Sequence, residues 1–67
     1  MQHTHHHQRV RTAEAARYLA LSKSTLEKKR LSGKGPRYQK LGRIVTYLLA
    51  DLDAWAEART RMSTSEH

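Results

Sequence analysis

The stretch that decides the fold is residues 12–33, TAEAARYLALSKSTLEKKRLSG. Ala13, Ala15 and Ala16 are strong helix formers. Glu14 puts a carboxylate in the first turn, where the exposed N–H groups favour negative charge. Thr12 is a good N-cap ahead of them. Ala16, Leu19 and Ala20 fall at i, i+3, i+4 and predict a narrow apolar stripe. The period breaks at Leu21-Ser22. Ser22 can cap a second helix, running from Lys23 to about Leu31 and ending at Ser32-Gly33. Roughly three residues separate the helices, which leaves room only for a tight turn.

Gly33-Lys34-Gly35-Pro36 reads as a loop. After it, Arg37–Leu41 and Ile44–Tyr47 flank Gly42-Arg43, a short hairpin with β-branched and aromatic residues around a glycine turn. An isolated hairpin is only marginally stable in water, so it must pack on the helices. A last helix is expected from near Asp51 to about Arg61, with Leu52, Trp55 and Ala56 as its i, i+3, i+4 stripe. Tyr47 and Trp55 are expected in the core, because aromatics supply much of the buried area of a small domain. Residues 1–9 have no hydrophobic period and read as a disordered, His-rich arm, and 62–67 as a disordered tail. The domain therefore spans 10–61. The class is mainly α with a small β-hairpin.

Composition limits what such a unit can do. With 67 residues it is one small domain. Having no cysteine, it has no disulfide, no thiolate zinc site and no Cys nucleophile. No apolar run approaches the ~18 residues of a membrane span, and no signal-peptide core follows the N-terminus. No cofactor or metal site is expected: His3, His5, His6 and His7 lie on the arm, with no second shell to orient their imidazoles. Paired carboxylates and Ser/His/Asp sets are missing from the ordered segments, so no enzyme activity is expected. The net charge is +7 and it is uneven. Residues 1–47 carry eleven basic side chains against two acids, a net +9; residues 48–67 carry two against four, a net −2. A basic body with an acidic end points to a polyanion: nucleic acid, an anionic membrane or an acidic protein.

The second helix carries the functional information. With Leu26 at the centre of its buried face, Lys23, Lys29 and Arg30 flank that face, Ser24 and Lys28 point away, and Thr25 and Glu27 lie on the sides. A solvated helix face is the bland alternative. The short helix and tight turn before it favour a helix-turn-helix, whose second helix reads a major groove. Lys23, Ser24, Thr25, Lys28, Lys29 and Arg30 are its candidate DNA contacts. The hairpin then reads as a wing, with Arg37, Lys40, Arg43 and Thr46 as candidates. Its other reading, a cover for the core through Leu41, Val45 and Tyr47, is compatible, because strand side chains alternate between faces.

Residues from about Val10 to Arg59 resemble the small winged helix-turn-helix proteins of the excisionase and AlpA-regulator group, within the broader MerR-like superfamily. The resemblance is carried by Glu14–Leu19, Leu21–Leu26, Ser32–Pro36, Lys40–Arg43, Val45–Tyr47 and Asp51–Trp55, in that order and spacing. It implies that the Ser22–Leu31 helix enters the major groove and the hairpin lies on the backbone. The chain departs from the group at Ala20, where a turn glycine is usual, and at Lys29, where an apolar residue is usual. Thr46 stands where a second basic wing residue is common. Leu48-Leu49-Ala50 replaces a basic stretch ending in a Ser cap. Two adjacent leucines there are expected to be partly exposed, making Leu48 and Leu49 a candidate contact between protomers.

The resemblance implies an architectural protein of double-stranded DNA, an excisionase or recombination directionality factor that steers a phage-type integrase toward excision. The alternative is a small AlpA-type transcription regulator at a promoter, and a third reading is a protein-interaction module with a basic face. No effector-binding segment or dimerising coiled coil is legible after the wing, which favours the architectural role. Head-to-tail self-association on DNA and a cytoplasmic, nucleoid-associated location in a bacterium or phage-infected cell complete the expectation.

Overall fold

The computed structural model describes residues 8–64, with side chains through residue 60. In chain order its elements are β1 (Arg9–Arg11), α1 (Thr12–Tyr18), α2 (Lys23–Ser32), β2 (Gln39–Leu41), β3 (Ile44–Leu48) and α3 (Leu49–Thr64). The order of helices and hairpin is the expected one, and the fold is a winged helix-turn-helix. Strand β1 is the addition. It joins the free edge of β3, giving an antiparallel sheet in the order β1-β3-β2. Arg9, assigned from sequence to the irregular arm, thus lies in the sheet opposite Leu48. The His-rich residues 1–7 lie outside the described residues.

Register decides which side chains the sheet buries. Val10 pairs with Tyr47, and both are buried. Paired residues share a face, so Val10, Tyr47 and the half-buried Val45 look toward the helices. Arg9, Arg11, Gln39, Leu41, Ile44, Thr46 and Leu48 take the outer face. The turn between β2 and β3 is Gly42-Arg43, with Gly42 at φ +63° and no positive φ at Arg43. That is the pattern of a type II′ turn, which matches the strand twist and wants glycine first.

The core consists of Val10, Ala15, Ala16, Leu26, Tyr47, Leu49 and Leu52, with Leu19 and Val45 packed against it. Tyr47 is buried as expected, although its hydroxyl has no hydrogen-bond partner among the described residues. Trp55 is only half-buried, because it packs between cationic side chains at the edge of the core. The Leu48-Leu49 expectation needs correcting at Leu49. Leu49 is a core residue, 7% exposed, and Leu48 is half-buried in β3. The reason is that β3 runs directly into α3, and the Leu49 N–H donates to the Gln8 carbonyl at 3.1 Å, extending the β1–β3 ladder by one step. Helix α3 consequently starts two residues before Asp51. It continues to Thr64, into the stretch expected as a tail; residues 65–67 lie outside the described residues.

The start of α1 also differs. Arg11, still extended, occupies the N-cap position without a side-chain cap, and Thr12 is already helical. Because β1 passes straight into α1, Thr12 cannot take the extended backbone that a capping residue needs. Helix α1 closes with the N–H of Ala20 on the Arg17 carbonyl (3.1 Å) and that of Leu21 on the Ala16 carbonyl (2.8 Å), a Schellman end. Helix α2 closes the same way, with Gly33 on Arg30 and Lys34 on Lys29. The left-handed residue is Gly33 in one (φ +77°) and Ala20 in the other (φ +61°). Ala20 is therefore outside the helical stripe, and Ala15 takes the buried place expected for it.

A side chain in the left-handed region costs about 1 kcal/mol that glycine avoids. Ala20→Gly is therefore expected to stabilise the domain by about that amount, partly offset by the unfolded-state entropy of glycine. Thermal unfolding should show a midpoint a few °C higher, on the order of 4 °C. A lower midpoint would contradict this account of the turn.

Candidate nucleic-acid interface

The chemistry of this surface begins with the capping of α2. Ser22 has extended backbone, and its Oγ accepts from the Thr25 N–H at 3.1 Å while donating to Thr25 Oγ1 at 2.7 Å. This fixes where the helix begins and so which residues face outward. Leu26 is its one buried side chain. Ser24 and Lys28, on the far side, are exposed; Thr25 is half-buried, with its hydroxyl engaged in the cap.

Each flank of α2 is held by contacts with its own fold. On the hairpin side the Arg30 guanidinium lies 5.8 Å from the ring centre of Tyr38 and reaches Thr12 Oγ1 at 3.4 Å. Tyr38 in turn sits 6.2 Å from Tyr47, tilted by 49°. A chain of contacts thus runs from α2 through the start of the wing to the core. On the other flank Lys29 Nζ lies 5.9 Å from the Trp55 ring centre, and the Arg59 guanidinium 5.0 Å from the same ring. The Trp55 indole N–H donates to the Lys34 carbonyl at 3.1 Å. A Cβ at Gly35 would stand 3.1 Å from Lys29 Cβ, so glycine lets the loop lie against α2. Each cation–π contact at such exposure is worth about 0.5–1 kcal/mol. The Lys29 contact and the indole hydrogen bond hold α3 and the loop to α2.

The sequence-predicted residues separate into groups. Lys23 and Arg30 of α2 and Arg43 of the wing line one cleft, with Glu27, Ile44 and Arg11. Lys40 and Arg43 border its continuation beside Arg30 and Tyr38. Arg37 and Thr46 are elsewhere. They line a separate groove on the outer sheet face with Arg9, Gln39, Leu48 and Asp51. There Arg9 hydrogen-bonds Gln39 across β3, and the Thr46 Oγ1 is buried without a partner among the described residues. Lys29 turns toward α3. Arg11 was missed from sequence, because β1 has no legible signal; only the sheet brings it to the cleft.

The charge on this side is predominantly positive, with Glu27 as the one acid lining the cleft. Residues 28–50 contain Lys28, Lys29, Arg30, Lys34, Arg37, Lys40 and Arg43 and no Asp or Glu. Acids are concentrated on α3, where Asp53 Oδ1 accepts from the Tyr18 hydroxyl at 2.7 Å. That hydrogen bond, helped by slight desolvation and the carboxylate charge, holds the Tyr18 phenol above its usual pKa. Among the described residues no helix is long and apolar enough to cross a membrane.

Residues 10–60 match the family described as a helix-turn-helix domain. The chain belongs to this helix-turn-helix family. No curated protein matches it. A helix-turn-helix domain binds double-stranded DNA with its second helix toward the major groove, and here the second helix is α2, the one carrying the exposed Ser24 and Lys28.

Because Ser22 sets the start of that helix, Ser22→Ala is expected to cost about 1 kcal/mol. A thermal midpoint lower by about 4–8 °C would register it in a domain of this size. An unchanged midpoint would mean that the cap contributes nothing to holding α2.

Proposed function

We propose that this protein binds double-stranded DNA sequence-specifically, with α2 in the major groove and the β2–β3 wing along the adjacent backbone. We further propose that it acts as an architectural protein of the excisionase type, in the cytoplasm of a bacterium or phage-infected cell, steering an integrase toward excision. The observation that carries the DNA reading is a pair of adjoining, mainly basic clefts between α2 and the wing that share Arg30 and Arg43: Lys23 and Arg11 line one, with Glu27, and Lys40 lines the other. Beside it, Ser24 and Lys28 stand exposed on the face of α2 opposite Leu26. The role is binding, with no catalytic step.

What supports the architectural reading is how little DNA a single winged unit covers. One small winged unit covers a short site and discriminates weakly alone, so useful specificity comes from several copies on neighbouring sites. With Leu49 in the core, adjacent copies would meet through Asp51 and Glu57 of α3 against the basic cleft of the next. Such a contact uses two different surfaces and propagates along DNA. Footprinting of DNA flanking the gene and any neighbouring integrase gene tests the role. Protection at repeated sites in an attachment region supports it, and protection confined to a promoter favours an AlpA-type regulator instead.

If about five phosphate contacts form, log K should fall against log salt with a slope near −4 to −5. A slope indistinguishable from zero would remove the DNA reading. Lys28→Ala should weaken specific sites by about 1–3 kcal/mol and random DNA much less, as expected of a base contact. Arg43→Ala should weaken both by similar factors, because a phosphate contact carries no sequence information. Equal losses for Lys28→Ala on both DNAs would show that α2 is turned differently.

A further inference from the structure

We propose that the wing tip is an apolar wedge for the minor groove, in which Leu41 and Ile44 press on a base step and favour sites where that step kinks easily. The inference rests on the DNA-binding reading above and adds to it a second source of sequence preference.

Leu41 and Ile44 are the cross-strand pair that closes the hairpin, directly flanking Gly42-Arg43. Opposed residues in an antiparallel pair have Cβ atoms about 5 Å apart, so the two side chains form one apolar knob. They stay exposed, at 57% and 41%, on the sheet face opposite Val45 and the core. Packing does not ask for them. A hairpin end can be built from threonine or lysine, and an exposed apolar pair beside an edge strand is a liability that proteins usually avoid.

The surroundings say what covers the knob. Ile44 lines the cleft with four cations, Arg11, Lys23, Arg30 and Arg43, against one acid, Glu27, and Lys40 pairs with Val45 on the other side of the same hairpin. Cations around a small apolar tip fit the DNA minor groove, whose phosphate walls take the charge and whose floor is base edge. Proteins that insert Leu or Ile between base steps partly unstack them and bend the duplex by about 20–90°. Pyrimidine–purine steps yield most easily, so the wing should prefer TA or CA at that position without hydrogen-bonding to it.

The test uses the full chain. Duplexes are selected from a randomised pool by the unmutated protein, then labelled at both ends for energy transfer. The double variant Leu41→Thr, Ile44→Thr keeps strand preference and removes most of the knob; circular dichroism checks its fold, and Leu41→Thr alone serves if the pair unfolds. The expected result is less bending and roughly tenfold weaker binding, the scale of losing about 50 Å² of apolar contact, with an unchanged salt slope because no charge is removed. Replacing the TA or CA step under the wing by G·C should weaken the unmutated protein and leave the variant nearly indifferent. Equal bending and affinity for variant and unmutated protein would overturn the wedge. So would loss of self-association without DNA and unchanged bending, which would make the knob a protein contact. If the unmutated protein recovers no duplex from the pool, the DNA-binding reading itself fails, and the wedge with it.

Discussion

Leu26 is the interaction on which the rest of this structure depends. It is fully buried, and it is the one side chain by which α2 enters the core. Removing a buried leucine side chain costs about 2–5 kcal/mol, comparable with the whole stability of many small domains. The single anchor has a structural consequence. A helix that contributes one residue to the core can leave its opposite face to polar and basic side chains, and a second buried position there would have replaced Ser24 or Lys28.

A helix held by one residue would be free to roll about its axis. The contacts on its flanks prevent that. Arg30 leans on Tyr38 and Thr12, Lys29 on Trp55, and Trp55 is tied to the loop through Lys34. The same cations thus pack against the protein's own rings and contribute to its positive face. Their stems cover apolar surface while the charged ends remain near solvent. Tyr38 links this lateral support to the wing, so that the orientation of α2 and the position of Arg43 belong to one packed unit.

Much of this could be read in the sequence because the determinants are local. Ser22 and Gly33 sit at the two ends of α2, and Gly42 opens the hairpin turn, each through backbone chemistry of a few neighbouring residues. What could not be read depends on distant partners. Strand β1 is three residues, Arg-Val-Arg, with a single buried side chain; its signal exists only once β3 is beside it. From that omission followed the wrong cap for α1, the missed Arg11 and the mistaken exposure of Leu49. The candidate site was legible as a set of residue types on α2 and at the hairpin tip. The division that leaves Arg37 and Thr46 in a separate groove, beside Arg9 and Asp51, required the three-stranded sheet and the packing of α3.

Under the proposed function, the outward face of α2 and the wing tip form one DNA-binding surface. Backbone amide NMR of the ¹⁵N-labelled protein titrated with a selected duplex tests it most directly. The largest shifts are expected on Ser22–Lys29 and Lys40–Ile44, while amides of α3 beyond Trp55 move little. Shifts concentrated on α3 or on the groove around Arg37 and Thr46, with α2 unmoved, would contradict it.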